Sequence, residues 1–284
     1  MGVKIITDSA SDLPIDIIEK YNIEVIPLLV HMQDKEYRDT VDIKPKEVYD
    51  YMRNGGTVKT AQIPYGVFND KFREYASTGE QYIYIAFSSG LSGTYQTAKL
   101  VEKEIKEEYP DFDFDVIDTK CASLGEGLVV LKAVMMASEG CSKEEILKTV
   151  DFYKNHMEHI FTVEDLDYLC RGGRVSKTAA IMGNVLNIKP ILDVEDGKLI
   201  PIEKIRGRKK SIKRMIEIVE ERAPNLSQQV VGINHGDDIE LAMFIKQKLE
   251  ELGVKEFVIS EVGASIGAHS GPGTLSIYFL NKLQ

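Results

Sequence analysis

Cysteine, tryptophan and positive charge are all scarce in this sequence. Three cysteines, Cys121, Cys141 and Cys170, and no tryptophan occur among 284 residues. The odd number and wide spacing of the cysteines exclude a disulfide framework and a cysteine metal site, so we expect reduced thiols in a cytoplasmic protein. Lysine and arginine number 35 against 45 acidic residues, which gives a net charge of −10. This balance argues against non-specific binding of nucleic acid or of an anionic membrane.

Long hydrophobic runs and nucleotide-binding motifs are absent as well. The most apolar stretch, residues 127–137, contains Lys132 and is too short to span a bilayer. The first residues lead directly into a predicted strand, so we expect neither a targeting segment nor stable membrane insertion. No Gly-x-Gly-x-x-Gly follows a strand, no P-loop sequence occurs, and the five histidines lack ligand spacing. We therefore expect no metal and no nucleotide cofactor.

The chain is organised around residues 81–100, which read as a strand, a loop and a helix. Residues 82–87 form a continuous apolar run, as in a central parallel strand that is buried on both faces. A loop of serine, glycine and threonine follows at 88–94 and leads into a helix. Free N–H groups at a helix N-terminus, together with several hydroxyls, favour an anion. The alternative is that Ser92 or Thr94 only caps the helix.

Two more polar loops are expected at the same edge of this sheet. Asp8 and Ser9 follow the first strand, and residues 118–123 follow the third. Ligands of open α/β sheets bind at the carboxyl ends of the strands, where these loops meet. Strands and helices alternate over residues 1–155, which predicts an α/β domain with a doubly wound parallel sheet and a small insertion at about 27–57. A strand at 25–32 is expected to pair with residues 35–39 in a hairpin, and residues 59–64 are expected to form a loop.

Residues 156–284 have a different pattern of strands and helices, which predicts a second domain. The dipeptide Asp196-Gly197 between two β-rich runs predicts an antiparallel hairpin. Near the C-terminus, a glycine-dense loop is expected at 263–273, and it contains His269 and Ser270. Glycines let the backbone approach a ligand closely. We expect an α+β domain with a mixed or antiparallel sheet, and a ligand between the two domains.

A basic segment at 204–214 contains seven lysines and arginines among eleven residues. Such a run is usually a solvated helix face. Against the acidic background of this chain, it could instead dock an acidic or phosphate-bearing partner. Arg171 and Arg174, which bracket two glycines, could belong to the same surface.

A catalytic triad of Ser92, His269 and either Asp8 or Asp118 is the enzymatic alternative. A nucleophile elbow requires Gly-x-Ser-x-Gly. Gly90 satisfies the first glycine, but Thr94 occupies the position of the second. The sequence therefore argues against a serine-dependent hydrolase or acyltransferase without removing that alternative.

Eight motifs occur in a fixed order along nearly the whole chain: ITDSASDLP, KTAQ, SSGLSGTYQTA, DTKCAS, LDYLCRGGRVS, NIKPIL, DGKLIPIEKIRGRKK and IGAHSGPGTL. This ordered set resembles the DegV family, bacterial fatty-acid-binding proteins that serve a fatty acid kinase. The resemblance implies a protein that is not itself an enzyme. It would hold one long-chain fatty acid while a separate ATP-dependent kinase phosphorylates the carboxylate, and the acyl phosphate would enter phospholipid synthesis.

The resemblance also implies roles for individual residues. Thr60 and Ser92 match the residues that bind the carboxylate, and His269 matches a histidine near the head group. The expected ligand contacts are Thr60, Ser92, Gly93, His269 and Ser270. Arg174 and Arg206 are candidates for contact with the kinase. After Thr60 the family commonly continues Ser-Gln-Pro-Ser, whereas this chain continues Ala-Gln-Ile-Pro. Candidate tail contacts are Ile181, Met182, Val185 and Leu186 on a helix predicted at 176–186, but the sequence favours the alternative that these residues belong to the ordinary core.

Overall fold

A computed structural model describes residues 2–175 and 187–284. The helix predicted at 176–186, and with it the four candidate tail contacts Ile181, Met182, Val185 and Leu186, lies outside the described residues. None of the helices in the described ranges combines the length and the apolar character that crossing a bilayer requires.

The described strands are β1 (Val3–Asp8), β2 (Glu24–Ile26), β3 (Leu29–Met32), β4 (Lys35–Arg38), β5 (Lys59–Ala61), β6 (Gln81–Ala86), β7 (Phe114–Asp118), β8 (Met157–Thr162), β9 (Ile188–Glu195), β10 (Lys198–Arg206), β11 (Val230–His235), β12 (Glu256–Glu261) and β13 (Leu275–Leu280). The described helices are α1 (Ile15–Tyr21), α2 (Pro45–Arg53), α3 (Tyr65–Ala76), α4 (Thr94–Glu108), α5 (Leu124–Ser138), α6 (Lys143–His156), α7 (Asp167–Arg171), α8 (Arg208–Arg222), α9 (Ile239–Glu251) and α10 (Ala264–Ser270).

The N-terminal sheet has the strand order β2-β1-β6-β7, and all of its pairs are parallel. The apolar run of β6 supplies buried side chains to both faces of this sheet. Ile83 and Ile85 pack beside α5, while Tyr82 and Tyr84 pack beside α3 and α4. Because helices cover both faces, alternation of polar and apolar residues is lost along β6. This arrangement confirms the predicted doubly wound parallel sheet.

The C-terminal sheet has the order β10-β9-β8-β13-β11-β12. Only β11 and β12 pair in parallel; the other pairs are antiparallel. The predicted hairpin is present between β9 and β10, where Asp196 and Gly197 both have positive φ, at 46° and 77°. This is the left-handed turn geometry that Asp-Gly favours. The mixed sheet confirms the predicted fold class, whereas the division into domains at 1–155 and 156–284 stays a prediction.

A third sheet, β4-β3-β5, corrects two details of the sequence analysis. The strand expected across residues 25–32 is two strands, because Pro27 lacks an N–H donor and interrupts the ladder after β2. The loop expected at 59–64 begins as strand β5, in which Thr60 pairs with Val30. Thr60 is therefore held by strand pairing, not by a free loop.

The glycine-dense loop expected at 263–273 is in part a helix, α10. Gly263 precedes the helix, and Gly271 ends it with φ 79°. Gly267 lies against Tyr49, since an added Cβ would come within 2.6 Å of the tyrosine hydroxyl. The glycines thus mark the two ends and the closest contact of a short helix, which explains why their density reads as a loop.

Candidate ligand-binding site

A cavity lies between the N-terminal and C-terminal sheets and encloses about 800 Å³, its open mouth included. Most of its wall is apolar and comes from both halves of the chain. The large apolar residues are Leu28, Phe87, Leu91, Phe161, Leu169, Val194, Leu199, Val262 and Ile266. A mostly apolar molecule fits such a wall better than a polar metabolite does.

One group of polar residues, which we call the polar end of the cavity, contains four of the five expected ligand contacts: Thr60, Ser92, His269 and Ser270. The Thr60 hydroxyl is 2.6 Å from Nε2 of His269, across 209 positions of sequence. The hydroxyl of Ser270 is buried and has no hydrogen-bond partner among the described residues. A buried hydroxyl without a partner is costly, so this end of the cavity is suited to a polar group of a ligand.

Gly93, the fifth expected contact, lies beside the cavity. The side chain of Gln62 crosses directly over it, since an added Cβ on Gly93 would stand 1.9 Å from the Gln62 Oε1. Gln62 continues to Thr97, where its Nε2 donates to the hydroxyl at 2.7 Å. Only glycine leaves room for this crossing, which joins β5 to α4 at the edge of the site. A ligand contact by Gly93 stays a prediction.

The loop before α4 is fixed by its neighbours. The Ser88 hydroxyl donates to the Gly197 carbonyl at 2.7 Å, and the Ser89 N–H donates to Asp118 at 3.1 Å. Ser92 lies at the end of this loop, with its hydroxyl 2.9 Å from that of Thr94 and accepting from the Thr94 N–H at 3.2 Å. Gly93 is the N-cap residue of α4, and no side chain caps the helix. Ser92 precedes it, accepts from the N–H of the first helical residue and also lines the cavity, so a contact at the helix start and a ligand contact are compatible.

Arg174 stands at the same end of the cavity. Its Nε donates to the Leu91 carbonyl at 3.2 Å and its Nη1 to the Gly172 carbonyl at 2.5 Å. No ion pair to a carboxylate occurs for Arg174 among the described residues, and residues 176–186 contain no Asp or Glu. A half-buried guanidinium without an acidic partner makes this end of the cavity electropositive in an acidic protein.

His269 is held as a neutral imidazole. Burial lowers its pKa to about 4, and the nearby charge of Arg174 adds to this effect. The ring lies directly on Gly172, where an added Cβ would be 2.2 Å from Nδ1. For the Thr60 hydroxyl to donate to a ligand, His269 must carry its proton on Nε2 and donate to Thr60. The glycine pair between Arg171 and Arg174 is thus a sequence signal, because Gly172 is needed for close contact with the His269 ring.

In the ligand-free protein, we expect the His269 imidazole to titrate near pH 4 instead of at its usual 6.5. Because the folded state disfavours this proton, the stability that neutral His269 contributes is complete above pH 6.5 and is lost as the pH falls through 4. The unfolding free energy of the wild type relative to His269→Gln should fall by roughly 3 kcal/mol over that interval. NMR of the imidazole and urea unfolding at several pH values measure this, and titration at the usual value would contradict it.

The expectation that Asp8 and Ser9 face the ligand is not met, since neither lines the cavity. Asp8 is fully buried and accepts from the Tyr84 hydroxyl at 2.8 Å, from the Phe87 N–H at 3.0 Å and from the Ala10 N–H at 3.1 Å. Burial raises its pKa to about 6, although these hydrogen bonds lower it. Asp8 therefore connects the ends of β1 and β6 by hydrogen bonds and does not face the ligand.

The three members of the alternative triad do not assemble. His269 contacts Thr60, the Ser92 hydroxyl contacts Thr94, and Asp118 accepts from Ser89. Among the described residues no histidine lies within hydrogen-bond distance of Ser92, and residues 176–186 contain none. Ser92 thus lacks the adjacent base that activates a serine nucleophile.

The basic segment divides into internal and exposed residues. Arg214 pairs with Glu203, Glu217 and Glu221, and Arg208 donates to the Gly273 carbonyl. Arg206 instead ends β10 as an exposed side chain. Five basic residues of the segment remain on the surface: Lys204, Arg206, Lys209, Lys210 and Lys213. This exposure suits a docking surface, and contact of Arg206 with a partner stays a prediction.

The polar lining residues that the sequence analysis missed include Gln62, Ser276 and Tyr278. The signal for two of them is present in β13, where polar Ser276 and Tyr278 alternate with apolar Leu275, Ile277 and Phe279. Period-two alternation indicates a strand whose two faces meet different surroundings. No comparable signal distinguishes Gln62.

A family model described as "Uncharacterised protein, DegV family" matches residues 2–282. A DegV domain-containing protein of Clostridium perfringens is 41% identical over 284 residues, which cover 99% of this chain and 98% of the relative. A solved DegV family protein of Thermus thermophilus, described as fatty acid binding, is 31% identical with a TM-score of 0.89, and 98% and 99% of the two chains are covered. A stearic-acid-binding protein of Eubacterium ventriosum is 27% identical with a TM-score of 0.89, and 97% of each chain is covered.

Proposed function

We propose that this chain, which belongs to the DegV family, binds one long-chain fatty acid and presents it to an ATP-dependent fatty acid kinase. The observation that carries the proposal is the lining of the cavity, which is mostly apolar and has hydroxyls and a cation beside the contact of Thr60 with His269. Family members with the same fold are described as fatty acid binding. The chain would act as a carrier subunit without catalysis of its own.

The carboxylate belongs at the polar end. Thr60 and Ser92 would donate their hydroxyls to it, and Ser270 would gain the partner that its buried hydroxyl lacks. Hydrogen bonds to a charged group contribute roughly 1.5–3 kcal/mol each. Hydroxyls suit a carboxylate that must later leave as an acyl phosphate, because a bidentate arginine clamp would hold it more firmly.

The tail belongs along the apolar wall. Burial of a methylene group contributes about 0.8 kcal/mol, so a long chain gains on the order of 10 kcal/mol before the costs of ordering. The wall residues come from both halves of the chain. Release of the tail would then require the two walls to separate or the mouth to widen, which keeps the fatty acid bound until the carboxylate has reacted.

A second cavity supports presentation of the head group. It encloses about 740 Å³ and shares Thr60, Arg174 and His269 with the first cavity. Lys59 and Arg171 add two further cations to its wall. The carboxylate would thus be separated from solvent by a few side chains, on an electropositive face that a kinase with its bound nucleotide could reach. Exposed Arg206 is a candidate contact for that kinase.

Native mass spectrometry followed by organic extraction tests the binding proposal. We expect the purified protein to carry one intact, noncovalent long-chain fatty acid per chain, or to take one up after delipidation. Long-chain acids should bind with submicromolar Kd, while their methyl esters should bind more weakly. An empty protein that cleaves a simple acyl ester would overturn the proposal in favour of the serine enzyme.

A further inference from the structure

Strand β13 and Thr274, the residue before it, carry a row of hydroxyl side chains along the cavity. Thr274, Ser276 and Tyr278 all line it, whereas Leu275 and Ile277 point into the opposite core. A strand rises about 3.4 Å per residue, so Tyr278 lies roughly 13 Å deeper than Thr274. Thr274 stands next to the end of α10 and donates to the Gly271 carbonyl at 2.8 Å. The row therefore begins near the head-group end and runs inward along the proposed path of the tail.

The inner two hydroxyls are not used by the backbone. Within the described residues, Ser276 and Tyr278 make no hydrogen bond from their side chains to a main-chain group, in contrast to Thr274. Burial raises the pKa of Tyr278, and the adjacent hydroxyls of Ser123 and Ser276 partly offset this effect. The Ser123 hydroxyl donates to the buried carboxyl group of Asp12. Ser276 is the register partner of Asn234, whose Oδ1 accepts from the Ser123 hydroxyl at 3.2 Å, and Ser123, Ser276 and Tyr278 all line the cavity. We refer to these three residues as the hydroxyl cluster.

The position of this cluster is well determined by packing. The Tyr278 ring meets the His159 ring edge to face, with centroids 5.3 Å apart. His159 is itself fixed, because it contacts the Met157 carbonyl at 3.2 Å and accepts from the Ala122 N–H at 3.3 Å. Gly232 leaves only 3.2 Å between a hypothetical Cβ and the Tyr278 ring. The hydroxyl of Tyr278 is therefore presented at a fixed depth in the cavity.

An unsubstituted alkyl chain that passes this cluster satisfies none of its hydrogen-bonding groups. A hydroxyl both donates and accepts, so a hydroxyl on the chain can pair with either the donors or the lone pairs of the cluster. Leaving buried polar groups unpaired is costly, and pairing them restores that loss. We propose that the hydroxyl cluster of Ser123, Ser276 and Tyr278 is a second polar subsite, which selects fatty acids with a hydroxyl group in the middle of the chain. This inference rests on the proposed fatty acid binding and names its substrate class.

Competition binding with three probes tests the subsite: stearate, a stearate with one mid-chain hydroxyl, and a stearate with its hydroxyl next to the carboxylate. We expect delipidated wild-type protein to bind the mid-chain hydroxy acid about tenfold more tightly than stearate, as one or two hydrogen bonds contribute. The acid with the hydroxyl next to the carboxylate should show no such preference, since that group lies far from Tyr278.

The variant Tyr278→Phe combined with Ser276→Ala should reduce the affinity ratio of the mid-chain hydroxy acid to stearate to about one or below. If the double variant fails to fold, Tyr278→Phe alone removes a single oxygen and should lower the ratio in the same direction. Tyr75→Phe is the matched control, because its buried hydroxyl also lacks a described partner but lies outside the cavity. It should leave the ratio unchanged.

Equal wild-type affinity for stearate and the mid-chain hydroxy acid would overturn the subsite, and so would a preference that survives both substitutions. Failure of the fatty acid proposal itself gives a different result. In that case the wild type would bind neither stearate nor either hydroxy acid, and the purified protein would contain no lipid.

Discussion

Loss of both hydroxyls in a Thr60→Ala, Ser92→Ala variant should weaken the binding of a long-chain fatty acid by at least a hundredfold. Each hydroxyl would donate to the carboxylate, and hydrogen bonds to a charged group contribute roughly 1.5–3 kcal/mol. Two such bonds correspond to a change in Kd of about two to four decades. Calorimetric titration of delipidated protein with palmitate measures this change.

The ligand provides the control for this prediction. The matching fatty alcohol has the same tail but no charge, so the double variant should bind it almost as well as the wild type does. Thermal unfolding should also change little, because the Thr60 backbone stays paired with Val30 in the small sheet. The Ser92 substitution removes one hydrogen bond to the Thr94 N–H at the start of α4, which costs about 1 kcal/mol. Unchanged affinity for palmitate in a folded variant would refute the head-group assignment.

Reversal of charge in Arg206→Glu should abolish kinase-dependent phosphorylation of the bound fatty acid, with a decrease in kcat/KM of roughly a hundredfold or more. Arg206 is exposed at the end of β10 and does not line either cavity near the head group. The binding of free palmitate should therefore be unaffected. Arg174 is less suitable for this test, because it holds the carbonyls of Leu91 and Gly172 at the site itself.

A matched control separates docking from general electrostatics. Lys103→Glu makes the same type of charge reversal on an exposed position of α4. It changes net charge by the same amount, so it should slow association only slightly. Phosphorylation is followed as acyl phosphate formed per wild-type or variant chain in the presence of the kinase and ATP. Equal loss of phosphorylation and of palmitate binding in Arg206→Glu would show that Arg206 supports the fold or the ligand site, and the docking role would be wrong.

Several local features of the fold could be predicted because their cause is local. The continuous apolar run of β6 indicates a strand covered on both faces, and Asp196-Gly197 has the backbone preference of a tight hairpin turn. Convergence of the strand ends at one rim follows from parallel pairing. The predicted bounds of the strand at 25–32 were wrong, since Pro27 and Leu28 separate its two halves, β2 and β3, which belong to different sheets.

At the candidate site, contacts between distant residues could not be predicted from local sequence patterns. Glycine density around His269 indicated a loop, whereas Gly267 serves the contact of a helix with Tyr49, a residue more than two hundred positions away. Asp8 was expected at the ligand because it ends a strand at the rim. It turned inward because Tyr84 and Phe87 supply donors there. Propensity and periodicity do not encode such long-range partners.

The sequence by itself determined most of the strand and helix order, the two kinds of large sheet, the rim of hydroxyls and, through its ordered motifs, the family. Periodicity, turn residues and net charge are properties of neighbouring residues or of the whole composition, so they can be read without coordinates. Only the tertiary structure decided that Thr60 contacts His269, that Arg174 joins them, and that β13 lines the cavity with hydroxyls. These pairings depend on how distant segments pack, and packing selects among many arrangements that are equally compatible with the local pattern.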